Sequence, residues 1–186
     1  YKASRNTVKA KGVQLDMSSY FTYLHLDPSS MPEIRLDPAV RLSSLDISHI
    51  DLMNETWALG GNDRSRRYLT SLIRYFPSIC LLDAASRPVS WILSDPFGAM
   101  RHGYTLPQHR GRGYVQVMMK VMAKRRHTLG YLSYGHVALD SFPMQRLQER
   151  QGFQRQPTLC HFILHNAALH RPPTLTPSPA PGTAPA

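Results

Sequence analysis

Residues Leu106 to Val115 read Leu-Pro-Gln-His-Arg-Gly-Arg-Gly-Tyr-Val, a basic and glycine-rich stretch between a predicted strand and a predicted helix. The chemistry such a stretch offers is anion binding. The first N–H groups of a helix have no intrahelical acceptor and carry partial positive charge. Glycine, with no Cβ, lets the backbone come close to a bulky ligand. Together they make a cradle for a pyrophosphate. No Gly-Lys-Ser/Thr closes the loop, so it is not a Walker loop, and the Gly-x-Gly-x-x-Gly dinucleotide fingerprint is absent. The competing reading is a plain glycine turn with solvated arginines.

Further titratable side chains stand near the loop in the sequence. Arg101 and His102 lie on the predicted strand Ala99–Leu106, and Asp95, His136 and Asp140 lie in neighbouring segments. A histidine can accept a proton near neutral pH. Lys120, Lys124, Arg125 and Arg126 fall on the helix after the loop. They read as a solvated face from which some could meet a phosphate.

The elements that must position these groups follow from the pattern. Ala39–Leu42 reads as a strand, and Asp46 caps a helix to about Ala58, with Ile47, Ile50, Met53 and Trp57 on one face. Asn62 caps a second helix, ended by Pro77. Strands Ser78–Leu82, Val89–Ser94 and Ala99–Leu106, joined by short turns, form an antiparallel meander. The loop and a helix to Gly130 come next, then a strand over Tyr131–Leu139, which makes a parallel crossover. A helix over Asp140–Gln151 and two short strands, Phe153–Arg155 and Leu159–Leu164, complete an α/β (α+β) mixed-sheet domain. Residues 1–38 read as a linker or the remnant of an upstream domain, residues 39–167 as the folded domain, and residues 168–186 as a proline-rich tail. The chain starts at Tyr1 rather than Met and is read as a fragment.

Composition narrows the classes. The 186 residues carry a formal charge of +10, and seven of the basic residues fall between Pro96 and Leu139, where there is no Asp or Glu. That field favours an anionic partner. No helix-turn-helix, zinc-finger or RNA-binding aromatic motif supports nucleic acid, so no nucleic-acid partner is expected. No apolar run reaches the length of a membrane span. Two cysteines, Cys80 and Cys160, make no disulfide framework, and Cys80 reads as a buried free thiol.

The loop resembles the coenzyme A loop, Arg/Gln-x-x-Gly-x-Gly/Ala, of the GNAT acyltransferase superfamily. Gln108, Gly111 and Gly113 match it literally, whereas Arg110, Gly113 and Val115 fit the usual position after Leu-Pro; the second register is preferred. A narrower resemblance rests on Trp57-x-x-Gly60-Gly61-Asn62, Phe76-Pro77, Pro88-Val89-Ser90-Trp91, Gly103-Tyr104-Thr105-Leu106-Pro107 and His136-Val137. These motifs, in this order, resemble the glycine N-acyltransferase family. The resemblance implies a GNAT fold and transfer of an acyl group from acyl-CoA to the amine of glycine or a similar small amino acid such as glutamine. It implies acyl-CoA as co-substrate, no metal, a monomer and a mitochondrial location. Tyr104, Thr105, Leu106, Gln108, Arg110, Gly111, Arg112, Gly113 and Tyr114 would bind the cofactor, and Arg101 the amino-acid carboxylate. The family's base is a Glu whose place is taken by Ala99, and a thiolate-donating Tyr is replaced by Gln148. His102 becomes the candidate base. The alternative is a GNAT-fold protein that binds coenzyme A with weak or no catalysis.

Overall fold

The computed structural model describes residues 6–8, 10 and 15–165. The chain divides into two compact units, residues 19–160 and a smaller one made of residues 1–18 and 161–186. The larger unit holds the meander, the parallel crossover and four α-helices. The expected tail lies outside the described residues.

Seven strands form one sheet: β1 (Leu15–His25), β2 (Arg41–Ser43), β3 (Ser78–Leu82), β4 (Pro88–Ser94), β5 (Met100–Thr105), β6 (Ser133–Ala138) and β7 (Gln154–His165). Their order is β2-β3-β4-β5-β6-β1-β7. The meander β2 to β5 is antiparallel, β5 and β6 pair in parallel, and β6 and β1 pair antiparallel. The α-helices of the larger unit are α1 (Ile50–Thr56), α2 (Asp63–Tyr75), α3 (Tyr114–Thr128) and α4 (Phe142–Arg150). The mixed α/β architecture, with its meander and parallel crossover, is the one expected.

Helix starts are set by side chains. The Asn62 side chain accepts the Ser65 N–H at 3.0 Å, and the Ser65 hydroxyl accepts the Asn62 N–H at 3.2 Å, which caps α2 from both directions. Asp46 caps a short 3-10 turn, Ile47–His49, and α1 comes directly after it, so the single helix expected there is a turn plus two helical turns. Gly60 is fixed by space: a Cβ there would stand 2.0 Å from the Asn54 carbonyl oxygen.

The core has two halves, one on each face of the meander. Ile79, Leu81, Val89 and Ile92 meet Met118, Met119 and Met122 of α3. Cys80, Leu82, Trp91 and Leu93 meet Ile50, Met53, Leu69 and Leu72 of α1 and α2. Strands β3 and β4 are therefore buried on both sides, which explains why they read as continuous apolar runs.

Two differences from the sequence reading concern the sheet's far side. Strand β1 lies where no strand is expected, because Met-Ser-Ser-Tyr-Phe-Thr-Tyr carries few apolar residues in strict alternation; Tyr23, fully buried, anchors it and donates to Glu149 of α4 at 3.0 Å. The two short terminal strands are one continuous strand, β7. Pro157 lies within β7, which is last in the strand order, and an edge strand is where proline is tolerated in a sheet.

Candidate functional site

The site is built around one irregularity in β5. Arg101 pairs with Leu93 and Met100 with Ser94, but Tyr104 pairs with Trp91 and Thr105 with Ser90. Between them the register slips, so His102 and Gly103 stand opposite Ile92 alone, a β-bulge. His102 takes φ +55, a left-handed conformation that histidine enters more readily than most residues. Met100 pairs with Gly135 of β6, the one β5–β6 pairing among the described residues.

Between the end of β5 and the start of α3 lies a cavity of about 440 Å³, lined by Gly103, Tyr104, Thr105, His109, Arg110, Gly111, Gly113, Tyr114, Val115, Gln116 and Leu147. Its floor is the expected loop. Gly111 and Gly113 take φ +78 and +74, and α3 begins directly at Tyr114, so its first N–H groups meet the glycine backbone at one place. Arg110 folds back to donate from Nε to the Thr105 carbonyl at 3.2 Å and lies 5.6 Å over the Tyr104 ring. Its charge thus fixes the loop to β5 as well as facing the cavity.

Of the residues expected at the cofactor, Tyr104, Thr105, Arg110, Gly111, Gly113 and Tyr114 line this cavity. Leu106, Gln108 and Arg112 do not: Leu106 packs on the α1/α2 half of the core, Gln108 sits exposed in a 3-10 turn, and Arg112 is exposed beside Tyr114 and Asp37. His109, Val115, Gln116 and Leu147 are lining residues that the sequence reading missed. His109 is the informative one. It stacks 6.5 Å from the Tyr114 ring, and its buried Nδ1 has no hydrogen-bond partner among the described residues. Only the Gln-His-Arg run before the glycines hinted at it. Gln148 is buried with Oε1 unpartnered and does not line the cavity.

A second, apolar cavity of about 230 Å³ lies behind the bulge, lined by Met53, Thr56, Trp57, Ala58, Leu69, Trp91, His102, Gly103 and Tyr104. Gly103 and Tyr104 border both cavities. The Trp91 and Tyr104 rings stack at 5.3 Å.

The charged groups cluster just before the bulge. Asp95 is buried in the turn; its carboxylate accepts the Phe97 and Ala99 N–H groups, each at 2.9 Å, and stands 3.5 Å from Arg101. Ala99 is fully buried. Arg126 is not on a solvated face: it is buried, donating to the Leu132 carbonyl at 2.9 Å and to the Ser94 hydroxyl at 3.0 Å. Burial pulls its pKa below the usual guanidinium value.

His102 is the base that the sequence suggests, and its placement does not suit that role. The ring packs edge-on to Trp57 at 5.0 Å and to Tyr68 at 5.7 Å. Burial first, then the positive charge of Arg101, pushes its pKa down to about 4. An imidazole of that pKa is a weak proton acceptor. His136, on β6, is bonded through Nδ1 to Thr22 Oγ1 at 3.2 Å, while Asp140 is exposed in the turn beyond β6.

Comparison with known proteins places this geometry. The family model described as aralkyl acyl-CoA:amino acid N-acyltransferase matches residues 1–77, and its C-terminal-region counterpart matches residues 79–162. The glycine N-acyltransferase of Rattus norvegicus is 33% identical over 167 residues, which is 78% of this chain and 55% of that protein. The glycine N-phenylacetyltransferase of Bos taurus is 43% identical over 96 residues, or 52% of this chain and 32% of that protein. The chain thus spans between a third and about half of these curated relatives. A Drosophila protein of 17% identity superposes with a TM-score of 0.76 over 87% of this chain and 56% of its own. The tandem GNAT protein from the clavulanic acid biosynthesis pathway gives 0.60 at 13% identity, over 89% of this chain and 59% of its own, so the fold is that of GNAT proteins. With both family models in sequence order along the chain, this protein belongs to the glycine N-acyltransferase family.

Proposed function

We propose that this chain carries the acyl-CoA site of an amino-acid N-acyltransferase, with acyl-CoA as donor and glycine or a similarly small amino acid as acceptor. The observation that carries the reading is the cavity of about 440 Å³ between the glycine loop and the end of β5, with an unpartnered His109 Nδ1 on its wall. A coenzyme A pyrophosphate would sit against the N–H groups at the start of α3, and His109 would find its missing partner on the same ligand. The pantetheine arm would run along Gly103–Thr105, and the acyl group would turn at Gly103 into the apolar cavity of about 230 Å³.

The chemistry follows from the bulge. Backbone N–H groups of His102 and Gly103, lying outside the regular register, would polarise the thioester carbonyl where negative charge develops. The ammonium of the acceptor loses a proton, its nitrogen attacks the carbonyl carbon, and the C–S bond breaks. The thiolate can leave as an anion, since a thiol pKa is about 8.5. Arg101, partly exposed beside Asp95, would hold the acceptor's carboxylate.

Titration calorimetry with coenzyme A, followed by a thiol-release assay with benzoyl-CoA, acetyl-CoA and glycine, tests this. Binding with thiol release supports the reading. Binding without release favours the alternative, a coenzyme A-binding protein with weak or no catalysis, for which buried Ala99 is the specific observation. No binding at millimolar ligand overturns both.

A further inference from the structure

The size of the acyl group is decided where the two cavities meet. Resting on the reading of those cavities as the cofactor site and the acyl site, we infer that the Tyr104 ring is the wall that limits acyl size, which makes Tyr104 a specificity-determining residue of the transfer.

The linings are the first argument. Gly103 and Tyr104 are common to both cavities. Gly103 has no side chain, so the one side chain shared by the two linings is that of Tyr104. Its ring partners divide in the same way. Trp91 lines the apolar cavity and not the larger one, and its ring stacks on that of Tyr104 at 5.3 Å. Arg110 lines the larger cavity and not the apolar one, and its guanidinium stands 5.6 Å over the Tyr104 ring. The ring thus touches one residue from each cavity, as a partition does.

Its anchorage is the second argument. Trp91 and Tyr104 face each other as a cross-strand pair of β4 and β5, and the Ser90 hydroxyl donates to the Tyr104 carbonyl at 2.9 Å. Trp91 is itself buried. A ring stacked on a buried tryptophan from a pinned backbone gives up that stacking when it leaves its rotamer, so an acyl group does not push it aside freely.

The remaining lining is the third argument. Met53, Leu69 and Trp91 belong to the close-packed core and cannot yield without opening it. The Thr56 hydroxyl donates to the Leu52 carbonyl at 2.8 Å within α1, which leaves it little polar demand on a ligand. The cavity therefore takes an apolar acyl group and discriminates by room. Tyr104, only partly buried, is the wall that can be removed without emptying the core. In such a pocket a single methylene too many changes kcat/KM by about ten- to two-hundredfold.

The test compares kcat/KM for decanoyl-CoA and benzoyl-CoA, at saturating glycine, in the wild type, Tyr104→Ala, Tyr104→Leu and Tyr104→Phe, with coenzyme A affinity and Tm measured alongside. Tyr104→Ala should raise the decanoyl-to-benzoyl ratio by about tenfold or more, because the space of the ring becomes space for the chain. Tyr104→Leu should raise it less, and it carries the test if the alanine variant does not fold. Tyr104→Phe, which keeps the ring, should keep the wild-type ratio. A ratio unchanged in both Tyr104→Ala and Tyr104→Leu overturns the inference, even where both thioesters slow together, since a ring that only supports the strand or the cofactor affects the two alike. A shift in Tyr104→Phe as large as in Tyr104→Ala overturns it too, because the hydroxyl and not the ring would then set the preference. A wild type that binds coenzyme A but releases no thiol from either thioester with glycine overturns the proposed activity itself, and the acyl wall with it.

Discussion

The loop side of β5 and the bulge side are built on different principles. On the loop side the chemistry belongs to the backbone: two left-handed glycines and the start of α3 supply N–H groups, while Arg110 is turned back onto Tyr104 and Thr105. On the bulge side it belongs to side chains: Arg101 and Asp95, 3.5 Å apart, both act on the charge of His102 and of His136. Backbone chemistry tolerates many side chains but few conformations. Side-chain chemistry tolerates the reverse.

That contrast can be broken by experiment. The largest effect is expected at Gly113, where valine would strain a φ of +74 and put a branched Cβ at the cradle. Coenzyme A affinity in Gly113→Val should fall by roughly two hundredfold, about 3 kcal/mol, from αL strain plus blocked approach. Affinity within fivefold of wild type by calorimetry would mean that the loop does not work through its backbone.

The next effect locates pH sensitivity on the bulge side. His102 titrates near 4 when folded and near 6.5 when unfolded, so below about 6.5 the unfolded chain binds the extra proton. Stability is complete above that pH and is lost as pH falls towards 4, by up to about 3 kcal/mol at 1.4 kcal/mol per pH unit. His25 and His136 are lowered as well and add in the same direction. Urea melts at pH 7.5 and 4.5 should therefore differ less for His102→Asn than for wild type; an equal difference would remove His102 from the account.

Arg101→Gln should raise the glycine KM by about tenfold, the worth of one charge-assisted pair, with coenzyme A affinity within about threefold of wild type. Steady-state kinetics against both substrates separate the two. The smallest effect is expected at Arg112, exposed and away from the cavity wall: Arg112→Gln should weaken coenzyme A by about threefold, mostly at low salt. A tenfold or larger loss would show that charge, not backbone, carries the loop.

The same contrast explains what could be read from sequence. The glycine loop was legible because left-handed glycines before a helix leave a spacing in the chain. The meander was legible because β3 and β4, buried on both faces, are unbroken apolar runs. The bulge-side cluster was not. His136 lies 114 residues from Thr22 along the chain and far from Arg101 as well, and no local pattern encodes their meeting. Arg126 looked like one of four exposed cations because its burial depends on Ser94 and Leu132, which the helix pattern does not contain. Strand β1 was missed because one buried tyrosine, rather than a row of aliphatics, holds it.

The extra residue in β5 also sets what the strand can survive. Ahead of the bulge, Met100 points to α3 and Arg101 away from it; after it, Tyr104 joins the face that Arg101 occupies. The strand thus changes parity at His102–Gly103: odd positions carry one face before, even positions after. A single-residue deletion there would keep every β5 residue type yet exchange the side chains presented to the two cavities for the whole second half of the strand. Insertions and deletions, more than substitutions, are the changes this strand should tolerate least.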